Sequence, residues 1–124
     1  MFQKNAIVEK IIGCSIEVHR NLGPGLLESA YEQCLAYELS LKNINFKRQL
    51  PLAVEYKGIK LDCAYRIDLI VEEQVIVELK SVENILGIHE AQLLTYMKVA
   101  HIKHGLLINF NSVKLIDGLK SFIF

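Results

Sequence analysis

Two segments near the start of the sequence carry apolar residues at three- and four-residue spacings. The spacing over 4–21, and again over about 26–42, predicts two amphipathic helices. Gly23-Pro24-Gly25 separates them, because glycine and proline interrupt helical runs. The segment from Ile88 to about Lys103 is also typical of a helix.

Polar and apolar residues alternate in the middle of the chain, which is typical of strands. Three consecutive strands joined by tight turns are expected over 46–56, 59–71 and 75–80. Lys57-Gly58 is the first turn, and residues 72–74 form the second. The apolar run 105–110 predicts a buried strand, and the tail from Val113 predicts a short strand at the sheet edge.

The order of these elements indicates the fold class. Two helices, three meandering strands, a helix and a strand predict an α/β fold of the α+β kind, with helices packed on a central mixed sheet. The last strand follows a helical crossover, the connection that parallel strands require. No repeat, low-complexity run or linker divides the sequence, so one domain over 1–124 is expected.

Composition agrees with an ordinary globular protein. Of the 124 residues, 52% are apolar and 23% are charged, and the formal net charge is zero. Charged residues interrupt the apolar positions near the N-terminus, so neither a signal peptide nor a membrane span is indicated. We therefore expect a cytoplasmic protein without membrane contact. Three widely spaced cysteines form no zinc or disulfide pattern and are expected in the core: Cys14, Cys34 and Cys63.

Charge is unevenly distributed along the chain. Residues 42–66 carry six basic side chains against Glu55 and Asp62, whereas residues 67–90 carry six acidic side chains against Lys80. A basic stretch beside an acidic one suits a metal-dependent enzyme that acts on phosphates, although solvated faces also produce such runs. Charge alone leaves both interpretations open.

The predicted hairpin over 66–80 places charged residues between buried ones. With residues 72–74 as the loop, Asp68 lies opposite Glu78, and their Cβ atoms are about 5 Å apart. One face of the hairpin is then wholly apolar and consists of Ile67, Leu69, Val71, Val75, Val77 and Leu79. The other face carries Arg66, Asp68, Ile70, Ile76, Glu78 and Lys80.

The opposed carboxylates of Asp68 and Glu78 repel one another, and neither ionises readily if partly buried. A divalent cation such as Mg²⁺ or Mn²⁺ would remove this conflict, since both ions prefer oxygen ligands. Lys80, on the same face, could then orient a metal-bound water and stabilise charge that develops on a phosphate. Alternatively, the two acids lie on a solvated face and pair with Arg66 and Lys80. Spacing alone favours neither interpretation.

Longer motifs favour the cation site. Asp68 followed by Glu78-Leu79-Lys80 resembles the signature of the PD-(D/E)XK nuclease superfamily, an aspartate on one strand and an acid-x-lysine on the next. GLLESAY, at 25–31, is similar to the motif that names the GxxExxY protein family, a small branch of that superfamily. The resemblance continues through VHRNLGPGLLESAYE, RQLPLAVEYKG, HEAQLLTYM and GLLINF, and so spans nearly the whole chain.

The resemblance implies a restriction-endonuclease-like core and assigns roles to its central residues. Asp68 and Glu78 would be metal ligands, with the carbonyl of Leu79 as a further ligand. Lys80 would be the catalytic lysine. Glu28 would be the helical acid near the metal and belong to the catalytic group. An acid at the third position of a helix (N3) is also favoured by the free amides there, which gives Glu28 a structural alternative.

Further candidates surround these residues. Gln92 and Tyr96 match the Q-x-x-x-Y of the related nucleases, and their spacing puts both on one helix face. We assign Gln92 to the catalytic group, and Tyr96 and Arg66 to substrate binding. Tyr31 is expected to pack in the core, with a hydroxyl that reaches the acid one turn earlier. His19 either approaches the metal or packs, and packing is favoured.

These residues predict a metal-dependent nuclease that hydrolyses nucleic-acid phosphodiester bonds through a metal-activated water, with Mg²⁺ or Mn²⁺ as cofactor. Nucleic acid is the expected partner, with DNA as the first choice, and a homodimer would supply the two sites that cutting two strands requires. The alternative is a non-catalytic nucleic-acid-binding or regulatory module that retains the nuclease fold. Neutral charge and small size would suit that alternative.

Overall fold

The structure is a computed structural model that describes residues 5–61 and 65–124. The α-helices are Ala6–Leu22 (α1), Glu28–Leu41 (α2) and Gly87–Ala100 (α3), and a 3₁₀ helix covers Leu115–Gly118. The strands are Phe46–Pro51 (β1), Glu55–Tyr56 (β2), Ile59–Lys60 (β3), Arg66–Val71 (β4), Val75–Lys80 (β5), His104–Asn109 (β6) and Leu119–Ile123 (β7). None of the described helices is both long and apolar enough to cross a membrane.

Five strands form the central sheet in the order β1-β4-β5-β6-β7, and β2 pairs with β3 in a separate hairpin. β5 and β6 are parallel and are joined by α3, whereas the other neighbours in the sheet are antiparallel. The predicted mixed sheet, helical crossover and edge strand are therefore confirmed. This α+β architecture is consistent with a restriction-endonuclease-like core.

Helices cover both faces of the sheet, and each face has its own apolar core. The core under α1 and α2 includes Ile11, Val18, Tyr31, Leu35, Leu69, Val77, Leu79 and Phe110. The core under α3 includes Ile67, Ile70, Ile76, Leu93, Tyr96, Met97 and Leu107. Burial of these side chains is the main favourable contribution to folding, and it fixes the central strands from two sides.

The turn between α1 and α2 depends on glycine and on one tyrosine. Gly23 ends α1 with φ 69°, and Gly25 has φ 97°, both in the region that glycine adopts at little cost. The hydroxyl of Tyr31 donates to the carbonyl of Gly23 at 2.6 Å and accepts the N–H of Leu26 at 3.1 Å. The turn is therefore attached to the core through the tyrosine side chain.

Two predicted strands are shorter in the structure. The strand expected over 46–56 leaves the sheet at Pro51, which has no N–H to donate, and resumes in the β2–β3 hairpin. The turn at Lys57-Gly58 is confirmed, with φ values of 49° and 82° that are typical of a tight hairpin. Of the strand expected over 59–71, β3 and β4 are present, and residues 62–64, with Asp62 and Cys63, lie outside the described residues.

The regular alternation of side chains between the two faces of the sheet is interrupted in β1 at Gln49 and in β4 at Asp68. Gln49 has φ 50°, a left-handed conformation that costs a non-glycine residue about 1–2 kcal/mol, and the β1–β4 pairing skips both residues. As a result, Leu69 packs under α1 and α2, whereas Ile67 packs under α3 with Ile70. The prediction that Ile67 shares the face of Leu69 was therefore wrong, because the alternation is interrupted between them.

Gly105 lies in β6 where α3 approaches the sheet. A Cβ atom there would collide with Sδ of Met97 and lie 3.1 Å from Cδ1 of Leu93. Gly105→Ala should therefore lower the free energy of unfolding by about 1–3 kcal/mol. Gly13→Ala, at an exposed position of α1 with open space around it, is the control and should raise it by about 0.5–1 kcal/mol. Denaturant unfolding measures both, and equal effects would contradict the close packing of α3.

Candidate active site

The β4–β5 hairpin has the predicted loop and register. Leu69 pairs with Val77, and the loop consists of residues 72–74. Beyond Leu69 the two strands no longer pair with each other. From there β4 pairs only with β1, as far as Arg66, and β5 pairs only with β6, as far as Lys80. The two central strands therefore diverge at the position of the predicted site.

Asp68 and Glu78 occupy the opening between the diverging strands. Glu78 Oε1 accepts the backbone N–H of Asp68 at 3.4 Å, and Asp68 Oδ2 accepts the N–H of Leu79 at 2.9 Å. The carboxylates thus replace the backbone partners that a continuous ladder would supply. The N–H and C=O of a strand residue face the same neighbour, so the carbonyl of Leu79 also points to this opening.

Glu78 is buried in this opening, with 4% of its surface exposed, while Asp68 is half-buried. Burial, and next the charge of Asp68, raise the pKa of Glu78 from 4.5 to about 9. The ammonium of Lys80 lowers this pKa and offsets only part of the effect. Glu78 is therefore protonated at neutral pH unless a cation takes the place of the proton.

The alternative of a solvated, ion-paired face does not describe these acids. Within 5–61 and 65–124, no lysine or arginine forms an ion pair with Asp68 or Glu78. Arg66 instead directs Nη1 to the carbonyl of Gln49 at 3.4 Å. Lys80 is half-buried, and no described carboxylate lies within ion-pair distance of its ammonium.

Asp68 also faces a cleft against the start of α2. The cleft has a volume of about 360 Å³ and is lined by Glu28, Ser29, Glu32, Gln49, Asp68 and Leu79. Glu28 is the first residue of α2 rather than the third and is exposed, so it still lies in the first turn, where the helix dipole favours an acid. The hydroxyl of Ser81 donates to the carbonyl of Leu26 at 2.6 Å and ties the start of α2 to the end of β5. The structure thus brings Glu28 and Asp68 to one cleft.

Gln92 and Tyr96 lie on α3, on the opposite side of the sheet. Nε2 of Gln92 donates to the hydroxyl of Tyr96 at 3.2 Å, which confirms that they share a helix face. Tyr96 is buried, and burial, followed by the charge of Glu78, raises the pKa of its hydroxyl. Both residues line an apolar cavity of about 280 Å³, next to Tyr65. The charge of Glu78 thus influences Tyr96 through the sheet, whereas Gln92 does not line the cleft that holds Asp68.

His19 and Tyr31 make structural contacts outside the cleft. Tyr31 is fully buried and stacks on Phe110 with 4.5 Å between ring centroids, and its hydroxyl bonds Gly23 rather than the acid in the first turn of α2. Nε2 of His19 lies 2.8 Å from the carbonyl oxygen of Ser112, an acceptor, so this nitrogen donates. Neither residue lines the cleft, and these contacts favour the packing role for both.

Three polar residues of the cleft region were not predicted from the sequence: Glu32, Arg48 and Gln49. Glu32 is only 7% exposed and accepts hydrogen bonds from Nε and Nη2 of Arg48, at 3.2 and 3.0 Å, and from Nε2 of Gln49, at 2.6 Å. Glu32 follows Glu28 by one helical turn, so helical spacing could have found it. No pattern indicates Gln49, because the interruption of β1 has no counterpart in hydrophobic alternation.

A comparison with protein families identifies the class of this chain. The model of the PD-(D/E)XK nuclease superfamily matches residues 5–122, and the chain therefore belongs to that superfamily. The Asp68 and Glu78-x-Lys80 motif, which predicted this membership, lies at the opening where β4 and β5 diverge. Neither a search of curated proteins nor a search of solved structures finds a match.

Replacement of Glu78 should change how stability depends on pH. The pKa of Glu78 is about 9 in the folded, metal-free protein against an ordinary 4.5, so between these values only the folded state holds the proton. Stability should therefore fall as pH rises from about 4.5 to about 9, by up to about 1.4 kcal/mol per pH unit from this residue. Glu78→Gln removes this contribution and should raise the thermal unfolding midpoint at about pH 8 in the presence of a chelator.

Glu73→Gln is the matched control for this measurement. Its side chain is 78% exposed in the hairpin loop, so the substitution should leave the pH profile unchanged. Equal slopes for wild type and Glu78→Gln between about pH 5 and 9 would contradict a buried, protonated Glu78.

Proposed function

We propose that this protein is a metal-dependent nuclease that hydrolyses phosphodiester bonds, within the GxxExxY branch of its superfamily. The observation that carries the proposal is the pair of adjoining carboxylates, Asp68 and Glu78, in the opening where β4 and β5 diverge. A buried acid of this kind is unfavourable for the metal-free fold. Its position in the Asp68 and Glu78-x-Lys80 motif of the superfamily supports a functional role.

The donor set fits a divalent cation. Asp68 and Glu78 offer carboxylate oxygens and Leu79 offers a carbonyl, which are the ligands that Mg²⁺ and Mn²⁺ prefer. No group of three or more histidine, cysteine, aspartate or glutamate side chains suitable for a metal is found in the described ranges. The proposed site therefore relies on the carboxylate pair, the carbonyl and water. When bound, the cation supplies Lewis-acid charge and lowers the pKa of a water molecule.

The remaining residues of the motif would act on the substrate. Lys80 would stabilise negative charge that develops on the phosphate, and its ammonium has no described carboxylate partner to compete. Glu28, across the cleft from Asp68, would hold a water molecule or complete the cation's surroundings. Tyr96, with Gln92 as its hydrogen-bond partner, and Arg66 would contact the nucleic acid.

Membership of a nuclease superfamily implies a nucleic-acid substrate, and we propose DNA. A homodimer in the cytoplasm would place two sites on two strands. His19 and Tyr31 would support the cleft indirectly, by holding α1 and the turn before α2 in place.

Cleavage assays test the proposed activity. We expect wild-type protein to cut single- or double-stranded DNA in Mg²⁺ or Mn²⁺ and to be inactive with a chelator. Lys80→Ala should slow cleavage by about 10²–10³-fold, since a preorganised charge at the phosphate is lost. Glu78→Ala should reduce cleavage to the chelated background.

Lys47→Ala and Glu73→Ala provide matched controls for the lysine and the acid. These two residues form an exposed ion pair, 3.0 Å long, at the loop end of the hairpin, and neither lines the cleft that holds Asp68. Both controls should retain wild-type rates. DNA cleavage that survives both Lys80→Ala and Glu78→Ala would sink the proposal.

Cation binding is a separate prediction. Mn²⁺ that binds only the folded state should stabilise it by about 2.7 kcal/mol at one hundred times its dissociation constant, measured by thermal unfolding. Asp68→Asn should lose this gain because it removes a charged ligand, whereas Asp117→Asn, at an exposed position of the 3₁₀ helix, should retain it. A wild type without Mn²⁺ stabilisation and without cleavage would favour the non-catalytic module.

A further inference from the structure

Gln49 departs from strand geometry in the middle of β1. Its φ is 50°, and the other described non-glycine residues with positive φ lie at turns or helix ends rather than inside a strand of the central sheet. Glycine would adopt this conformation without strain. A glutamine held there points to a use for its side chain, because backbone strain persists only where the surroundings impose it.

The side chain of Gln49 bridges two carboxylates. Nε2 donates to Oε1 of Glu32 at 2.6 Å and, through a longer contact of 3.4 Å, to Oδ1 of Asp68. Both partners accept hydrogen bonds, so the amide must present its NH₂ group to them rather than its oxygen. The other carboxylate oxygen of Asp68, Oδ2, accepts the N–H of Leu79 at 2.9 Å. Each oxygen of Asp68 therefore has a donor and still has a lone pair free.

The far end of this bridge is anchored in the protein. Glu32 is 7% exposed and is bound by Nε and Nη2 of Arg48 through Oε2. The backbone of Gln49 is held as well, since Arg66 donates to its carbonyl at 3.4 Å. The contacts therefore form a continuous chain from Arg48 through Glu32 and Gln49 to Asp68.

We propose that Gln49 is a positioning residue, which holds the carboxylate of Asp68 in the orientation that a divalent cation requires. The proposal rests on the function proposed above and adds the residues behind the cation site: Gln49 acts on Asp68, and Glu32 with Arg48 fixes Gln49. Partners of this kind orient ligating carboxylates and commonly contribute about 10- to 100-fold to metal affinity.

The chemistry of the amide suits this task better than a charged group would. A lysine at this position would neutralise Asp68 and compete with the cation, and a glutamate would repel both carboxylates. A carboxamide supplies two N–H donors without net charge. The negative charge of Asp68 is therefore preserved for the cation while its orientation is restricted.

Two substitutions separate positioning from stability. Gln49→Met keeps the length of the side chain but removes the donor, and Gln49→Gly also relieves the strain at φ 50°. We expect both variants to bind Mn²⁺ about 10- to 100-fold more weakly than wild type, measured by Mn²⁺ titration of the thermal midpoint. The metal-free midpoint of Gln49→Gly should be no lower than that of wild type. Gln33→Met, an exposed site on α2, is the matched control and should bind Mn²⁺ normally.

Amide hydrogen exchange of Leu79 provides a readout that needs neither metal nor activity. The N–H of Leu79 donates to Asp68 Oδ2, so it reports whether that carboxylate is held in place. In metal-free Gln49→Met and Gln49→Gly, exchange of this amide should accelerate by at least about tenfold, while the amides of Val75 and Val77 keep their protection.

Unchanged Leu79 exchange together with Mn²⁺ affinity within twofold of wild type would overturn the positioning role. Loss of metal-free stability in Gln49→Gly, with Mn²⁺ affinity retained, would also overturn it, since that result describes a purely structural residue. A wild type that neither binds Mn²⁺ nor cuts DNA refutes the proposed nuclease function. Even then, exchange at Leu79 decides whether Gln49 holds Asp68.

Discussion

The divergence of β4 and β5 is the constraint on which the rest of the site depends. Beyond Leu69 the strands follow different neighbours, and backbone groups that would have paired across the hairpin need other partners. The carboxylates of Asp68 and Glu78 meet that need, because each accepts a backbone N–H from the opposite strand. The two side chains that satisfy backbone groups at the opening are thus the same two that we propose as ligands of the cation.

The two acids at the opening are oriented towards different sides of the sheet. Asp68 faces the cleft against α2, which Glu28 and Glu32 also line. The charge of Glu78 contributes to the raised pKa of Tyr96 on α3. The two acids are therefore related to helices on opposite faces of the sheet, Asp68 to α2 and Glu78 to α3. The two apolar cores hold these helices in register, so the positions of the polar groups follow from packing on both faces.

Sequence patterns predicted the hairpin register correctly because loop length and period-two alternation are local properties. They also predicted the crossover and the edge strand. They failed at Ile67, since the change of face at Asp68 accompanies a left-handed residue, Gln49, in a strand about twenty positions away. Helical spacing from Glu28 could have located Glu32, but its pairing with Arg48 from another element is not visible in hydrophobic patterns.

Glu78 determines the energetic balance of the metal-free site. Burial and the charge of Asp68 raise the pKa of Glu78 to about 9, so a proton and the proposed cation would compete for the same oxygens. The proton lets the fold tolerate a buried acid beside a second carboxylate, and its release would leave two charges that only a cation can stabilise. A less buried Glu78 would remove this conflict, but it would also expose the ligands to water and weaken the attraction that favours a cation. The burial that is unfavourable for the metal-free protein is therefore the feature that would give the site its affinity.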